Sequence, residues 1–245
     1  MATPLPLLQR DMVNTLQLVD RKGWVANHDG NASVRLAGNR YLITPTSFSK
    51  FSIREQDLLV INGKKQVLQG KHRPFSEMDM HLAAFAVRGD ARAVLHAHCP
   101  ESVALSMVGV EVNPTLIPEA IVSLGARIPM LPHAFPGSEV GLEALTNALH
   151  YYDVVVLENH GVISIGKDLE QAYLRMELCE HIAGIQRRAM TLGTPKPIPR
   201  EDIDRLLFKR KKAGLGYEAR GLSLPNSGLD SRTTLVGPCS GPIEA

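Results

Sequence analysis

An apolar run that contains two histidines most constrains what this 245-residue chain can form. Residues 93–99 read Ala-Val-Leu-His-Ala-His-Cys, so one alanine separates His96 from His98. Side chains alternate between the two faces of a β-strand, and a buried strand would therefore direct both imidazoles to the same side. Imidazole nitrogen is a common ligand of Zn²⁺ and related ions. The run predicts a buried strand that carries part of a metal site.

Two further candidate ligands lie elsewhere in the chain. Glu77 precedes a helical pattern in Phe-Ser-Glu-Met, and His160 lies in an Asn-His-Gly turn between two strand patterns. Turns between buried strands often carry functional groups on a rigid scaffold. The alternative is a packing role for each histidine, since the chain contains nine. The ordered combination favours the site, and we expect Glu77, His96, His98 and His160 to surround one divalent ion.

The periodicity of the chain changes near residue 76. After a helix at 5–24, short alternating stretches separated by Gly and Asn predict antiparallel strands. Beyond residue 76, helical patterns at 78–87, 100–108, 118–124, 141–149, 169–188 and 200–212 alternate with strands at 93–97, 127–131, 154–157 and 162–165. Interleaved patterns of this kind predict an α/β fold with a mixed sheet. We expect one domain over 1–195, followed by a C-terminal helix and an irregular tail over 196–245 that packs on the domain or on a neighbouring subunit.

Composition excludes several classes of protein. A formal net charge of +2 argues against nucleic-acid binding, and 44% hydrophobic residues is ordinary for a globular protein. No apolar run approaches the ~20 residues that a membrane span needs, and the N-terminal residues lack the apolar core of a signal peptide. Three widely spaced cysteines predict no disulfide framework. We therefore expect a cytoplasmic protein that acts on a small molecule.

Five motifs follow one another between residues 8 and 190: Gly-Asn-Ala-Ser-Val-Arg at 30–35, Ile-Thr-Pro-Thr-Ser at 43–47, Ser-Glu at 76–77, His-Ala-His at 96–98 and Glu-Asn-His-Gly at 158–161. This ordered set resembles the class II aldolase/adducin family. The resemblance implies a three-layer α/β/α sandwich around a mostly antiparallel sheet, and a homotetramer with active sites at subunit interfaces. It also implies Zn²⁺, or Mn²⁺, Co²⁺, Mg²⁺ or Fe²⁺, on the three histidines. Glu77 would be the fourth ligand at rest and the acid/base in turnover.

The resemblance also indicates substrate-binding residues and some departures from the family pattern. Matches to the phosphate-binding positions are Gly30, Asn31, Thr46 and Ser76. Ser47 stands where the family has glycine, Phe75 replaces a serine, and Glu119 falls where the family has a catalytic tyrosine. Glu119 has the alternative of a surface helix residue, and His28 is a further substrate candidate beside the Gly-Asn loop. These departures favour a substrate other than a standard sugar phosphate, with a carboxylate or an aromatic ring as alternatives.

The reaction stays open among related chemistries. The first hypothesis is an aldolase-type carbon–carbon lyase in which the cation stabilises an enolate or enediolate as a Lewis acid. The second is a metal-dependent decarboxylase of a hydroxylated aromatic or keto acid, favoured by Phe75 and by the missing tyrosine. An epimerase or dehydratase would use similar chemistry. A non-catalytic adducin-like module ranks last, because it would have no reason to keep three histidines and a carboxylate together.

Overall fold

The computed structural model describes residues 3–135 and 137–224. Within these residues the chain forms helices α1 (Leu5–Arg21), α2 (Met78–Val87), α3 (Pro100–Met107), α4 (Pro118–Leu124), α5 (Glu139–Tyr151), α6 (Leu169–Leu192) and α7 (Arg200–Lys212). The strands are β1 (Asn31–Leu36), β2 (Arg40–Ile43), β3 (Leu59–Asn62), β4 (Val67–Gln69), β5 (Ala93–Ala97), β6 (Met130–Leu131), β7 (Val154–Leu157) and β8 (Gly161–Gly166). The predicted helices and the strand at 93–97 are confirmed.

The strands form one sheet in the order β4-β3-β2-β1-β5-β8-β7-β6. Each neighbouring pair is antiparallel except β6 with β7, which is parallel. The sheet is therefore mixed and mostly antiparallel, as expected. β6 is shorter than the predicted strand at 127–131, because Pro129 has no N–H to donate to a ladder.

Helices cover both faces of the sheet and give a three-layer α/β/α sandwich. One core cluster joins Leu16 of α1, Leu105 of α3 and Met176 of α6 to the side of β5 that carries Leu95. A second cluster joins Phe85 of α2 and Leu149 of α5 to the opposite side of the sheet. Val94 of β5 belongs to this second cluster, and alternation along the strand places His96 on the same side.

The C-terminal helix is attached to the domain. α7 packs against α4, and Arg210 of α7 reaches Asp153 before β7, with Nη2 and Oδ2 3.0 Å apart. The tail at 225–245, with Cys239, lies outside the described residues. In the part of the chain described, no helix combines the length and apolar character that a membrane span needs.

Candidate metal centre and acid–base site

Three neighbouring strands bring the predicted ligands to one edge of the sheet. Asn31 at the start of β1 pairs with His96 near the end of β5, and His96 pairs with Ile163 of β8. His160 lies in the turn immediately before β8. The left-handed backbone of this turn is provided by Asn159, with φ +58°, a conformation that Asn adopts more readily than most residues.

The three histidines face one another. Their ring centroids are 5.2 Å apart for His96 and His98, 4.8 Å for His96 and His160, and 5.1 Å for His98 and His160. One nitrogen from each ring can be chosen so that all three atoms lie within 4.8 Å of one another. The strand spacing therefore places both imidazoles of the His-Ala-His motif on the same side, with the third ring beside them.

Two glycines permit this close packing. A Cβ on Gly161 would lie 2.5 Å from the Ala97 carbonyl oxygen and 3.0 Å from Cε1 of His96. Gly30 has φ +72°, and a Cβ there would lie 2.5 Å from the side chain of Val25. Side chains at either position would push apart the strand ends that hold the histidines.

Glu77 meets the histidines from the other side of the cluster. It precedes α2, and its Oε1 lies 2.9 Å from Nε2 of His160 while its Oε2 lies 3.7 Å from Nε2 of His96. Asn31 donates from Nδ2 to Oε2 of Glu77 over 2.7 Å. The four predicted ligands are thus together in one group.

A buried chain of hydrogen bonds fixes Asn31. Because its Nδ2 donates to Glu77, its Oδ1 accepts, and Nε2 of His81 lies 2.6 Å from that oxygen. Nε2 of His81 must then carry the proton, so Nδ1 accepts from the Ser33 hydroxyl at 2.7 Å. His81 is fully buried. Ser33 therefore donates to His81, His81 donates to Asn31, and Asn31 donates to Glu77.

Two of the histidines are oriented by their second nitrogen. Nδ1 of His96 lies 3.0 Å from the Val162 carbonyl oxygen, and Nδ1 of His98 lies 3.5 Å from Oδ2 of Asp29. Such partners fix the orientation of metal-binding histidines and leave Nε2 for the ion. Asp29 and the Val162 carbonyl are thus functional groups that the sequence analysis did not assign to this role.

Burial and charge favour neutral imidazoles around an ionised carboxylate. Burial lowers the pKa of His96 to about 4, although Glu77 opposes that effect. Burial lowers the pKa of His81 to about 3, and the charge of His96 acts in the same direction. Burial would raise the pKa of Glu77, but hydrogen bonds from His160 and Asn31 and the charge of His96 outweigh it and hold this pKa below its ordinary value.

These side chains suit a divalent cation. Nε2 of His96 is buried and has no hydrogen-bond partner among the described residues, an expensive arrangement unless another group binds that atom. Three imidazoles and one carboxylate are nitrogen and oxygen ligands that Zn²⁺ accepts in tetrahedral sites. His96, His98, His160 and Glu77 would hold the ion.

Known proteins are similar to this chain in sequence and in fold. The family model described as Class II Aldolase and Adducin N-terminal domain matches residues 10–187. This chain belongs to that family. L-fuculose phosphate aldolase of Escherichia coli (strain K12) is 30% identical over 212 residues, which cover 86% of this chain and 97% of the relative. L-fuculose phosphate aldolase of Methanocaldococcus jannaschii is 34% identical over 167 residues, covering 68% of this chain and 88% of the relative.

A solved structure extends the comparison to the fold. The structure of an L-fuculose 1-phosphate aldolase superposes with a TM-score of 0.77 at 24% identity, covering 86% of this chain and 98% of the other. The class II aldolase fold is therefore shown, and the aldolase relatives support a lyase of this general type.

The substrate candidates of this class II aldolase family member lie on three segments, before β1, after β2 and before α2. Gly30 is buried next to Asn31, and Thr46 and Ser47 follow β2, with Ser47 exposed at φ +63°. His28 and Ser76 are also exposed. A substrate-binding role for these residues stays a prediction.

Lys50 connects the loop before β1 to the loop after β2. Its ammonium group is buried and donates to the carbonyl oxygens of His28 and Phe48, each over 2.8 Å. Burial lowers its pKa to about 8, although Asp29 opposes the shift. Lysine is ordinarily solvated, so its sequence position alone does not indicate this role.

The side chains of Phe75 and Glu119 make no hydrogen bond with the predicted ligands among the described residues. The Phe75 ring is buried in the core and packs edge-on against His81, with centroids 4.9 Å apart. A substrate-binding role for Phe75 stays a prediction. Glu119 is exposed in the first turn of α4, and its side chain makes no hydrogen bond or ion pair with any described residue. Its catalytic role stays a prediction.

Proposed function

We propose that this protein is a divalent-metal-dependent carbon–carbon lyase of the aldolase type, acting on a substrate other than a standard sugar phosphate. The observation that carries the proposal is the buried, unpartnered Nε2 of His96 within a group of three histidines and Glu77. The aldolase relatives support the same class of reaction. Zn²⁺ is the proposed ion.

Glu77 is the proposed acid/base. Its ionised carboxylate can accept a proton at Oε1, the oxygen beside Nε2 of His160, while Asn31 holds Oε2. A carboxylate positioned in this way contributes proton transfer to the reaction. The cation, when bound by the three histidines, would supply Lewis-acid stabilisation of negative charge that develops beside a carbonyl. Because a site closed by four protein ligands has no place for substrate, the three histidines would hold the ion during turnover and Glu77 would be available for proton transfer.

The decarboxylase hypothesis remains the second candidate. Glu119 stands where the family has a catalytic tyrosine, and the missing tyrosine still favours a decarboxylase. The argument for a decarboxylase from Phe75 is weaker, because the Phe75 ring packs in the core. We also propose the homotetramer that the resemblance implies. Support comes from Phe135 and Val140, apolar side chains that are 80% and 77% exposed in the single subunit.

A substrate screen tests the proposed reaction. Purified protein is incubated with sugar phosphates, non-phosphorylated aldols and hydroxylated aromatic or keto acids, and aldehyde release and CO₂ release are scored separately. Aldehyde from a non-phosphorylated aldol supports the proposal. CO₂ release replaces it with the decarboxylase, and activity confined to sugar phosphates contradicts the substrate class.

Replacing His81 should reduce turnover without removing the ion. In His81→Phe the ring cannot donate to Oδ1 of Asn31, so the Asn31 amide is free to turn away from Glu77. We expect kcat to fall about 10- to 100-fold, as for other lost partners of metal-site residues. His81→Gln can still donate and should recover part of the loss. Steady-state kinetics with metal analysis would check this; an equal loss in both variants would indicate a packing role alone.

A further inference from the structure

A second charged group lies at the opposite end of β8 from the histidines, around a cavity of about 280 Å³. Gly166 and Lys167 border the cavity at one end of the strand, whereas Gly161 contacts His96 and His98 at the other. Five residues of extended chain span ~16 Å. The cavity is therefore separate from the candidate metal centre.

The inner wall of the cavity is a buried ion cluster. Asp153 is 1% exposed and receives Arg88, Arg175 and Arg210, with nitrogen–oxygen distances of 2.8, 2.9 and 3.0 Å. Arg88 also binds Asp90 at 2.8 Å. Of these arginines only Arg88 and Arg175 line the cavity, and together with Asp90 and Asp153 they leave the inner wall without net charge.

Two further cations border the opening without an acidic partner. Arg220 donates to the carbonyl oxygens of Tyr151 at 3.1 Å and of Gly216 at 3.5 Å, and Lys167 is exposed. Neither forms an ion pair with a described residue. The lining side chains thus carry four positive charges, on Arg88, Arg175, Arg220 and Lys167, against Asp90 and Asp153, which is a net charge of +2.

The guanidinium of Arg220 lies close to both cations and carboxylates of the cluster. Burial lowers the pKa of its guanidinium, and the charge of Arg88 lowers it further, whereas Asp90 and Asp153 oppose these effects. A neighbouring polar group is also available: Oε1 of Gln171 accepts from the Lys167 N–H at 2.9 Å, so the amide nitrogen of Gln171 remains free to donate. An anion in the cavity would relieve repulsion and gain charged donors.

We propose that this cavity binds a small doubly charged oxyanion of the phosphate-monoester class, held by Arg220 and Lys167 at the opening. A guanidinium matches phosphate geometry with two parallel donors, and an ammonium adds a point charge. The volume of about 280 Å³ admits a phosphate group with a small organic substituent. Because the cavity is ~16 Å from the histidines, the anion is an effector or stabilising ligand and not the substrate of the proposed reaction.

Calorimetric titration of the full chain with inorganic phosphate at constant ionic strength tests the proposal. We expect saturable binding that Arg220→Gln weakens about 10- to 100-fold, the loss typical of a hydrogen bond to a charged group. Lys167→Gln should weaken it in the same direction. Lys64→Gln, which removes an exposed lysine from the turn between β3 and β4, is the matched control and should leave the Kd unchanged.

Two results would overturn this assignment. The first is phosphate binding that neither Arg220→Gln nor Lys167→Gln changes, or no binding at millimolar phosphate. The second is binding that Asn31→Ala abolishes, since Asn31 belongs to the candidate catalytic site. Lys167 is exposed, so its variant reports on binding even if Arg220→Gln does not fold. Acetate at equal ionic strength should bind more weakly than phosphate. None of these outcomes depends on the proposed lyase activity.

Discussion

Glu77→Gln should retain the metal ion and lose turnover. In the wild-type protein Asn31 donates a hydrogen bond to Oε2 of Glu77 over 2.7 Å. Glutamine has nearly the same shape as glutamate, and its amide oxygen can accept that hydrogen bond. It cannot take up a proton at the pH of the reaction, so the acid/base function is lost while three histidines remain to bind the ion. We expect kcat to fall about 10²- to 10⁴-fold. Turnover and metal content of the same preparation would be measured together.

The matched control for this change is Glu143→Gln, on the exposed face of α5. That variant should keep both activity and metal. If Glu77→Gln turned over at the wild-type rate, Glu77 would not be the acid/base. If it lost the ion as well, the loss of activity would say nothing about proton transfer, and the three histidines would be an insufficient site on their own.

Asp153→Asn should destabilise the fold strongly. Three arginines converge on this buried carboxylate, at 2.8 to 3.0 Å. Removing the charge leaves buried cations without compensation, which typically costs about 3–5 kcal/mol. For a chain of this length that loss corresponds to a Tm lower by roughly 10 °C. Urea unfolding monitored by circular dichroism would give the change in the free energy of unfolding.

The lowered pKa of Asp153 predicts how the stability of the protein changes with pH. Burial would raise the pKa of Asp153, but Arg175, Arg88 and Arg210 outweigh it and hold this pKa below the ordinary value. The stabilisation is therefore complete above the unfolded pKa, about 3.9 for Asp, and is lost as the pH falls through the folded pKa. The stability difference between wild type and Asp153→Asn should shrink in acid.

Asp168→Asn is the matched control for the stability experiment. Asp168 is exposed at the N-cap of α6 and accepts from the Gln171 N–H at 2.7 Å. Asn caps helices about as well as Asp, so this variant should unfold close to the wild-type urea concentration. An Asp153→Asn protein as stable as this control would mean that the arginine cluster contributes little to the free energy of folding.

Local patterns predicted much of the fold. α7 begins and ends at the predicted residues 200 and 212 because Pro199 fixes its start and a basic last turn marks its end. β5 has the predicted bounds 93 and 97 because an apolar run between Asp90 and Pro100 leaves little freedom. Alternation within that strand was also sufficient to predict that His96 and His98 face the same side.

Tertiary contacts decided the rest. His81 follows Glu77 by four residues, but it reaches Glu77 through Asn31 of β1, which lies 50 residues before His81 in the sequence. The partners of Asp153 lie on α6, α7 and the end of α2, and no local pattern links them. Phe75 is a substrate candidate only through its family position, and local patterns do not indicate that its ring packs in the core against His81.

Metal analysis of the purified protein, with His98→Ala beside it, tests the central claim most directly. The account predicts close to one divalent ion per wild-type chain, with loss of that ion from His98→Ala and retention in His181→Ala, a histidine exposed on α6. Activity should disappear on chelation and return with the ion. A wild-type protein that is fully active without any bound metal would contradict the account.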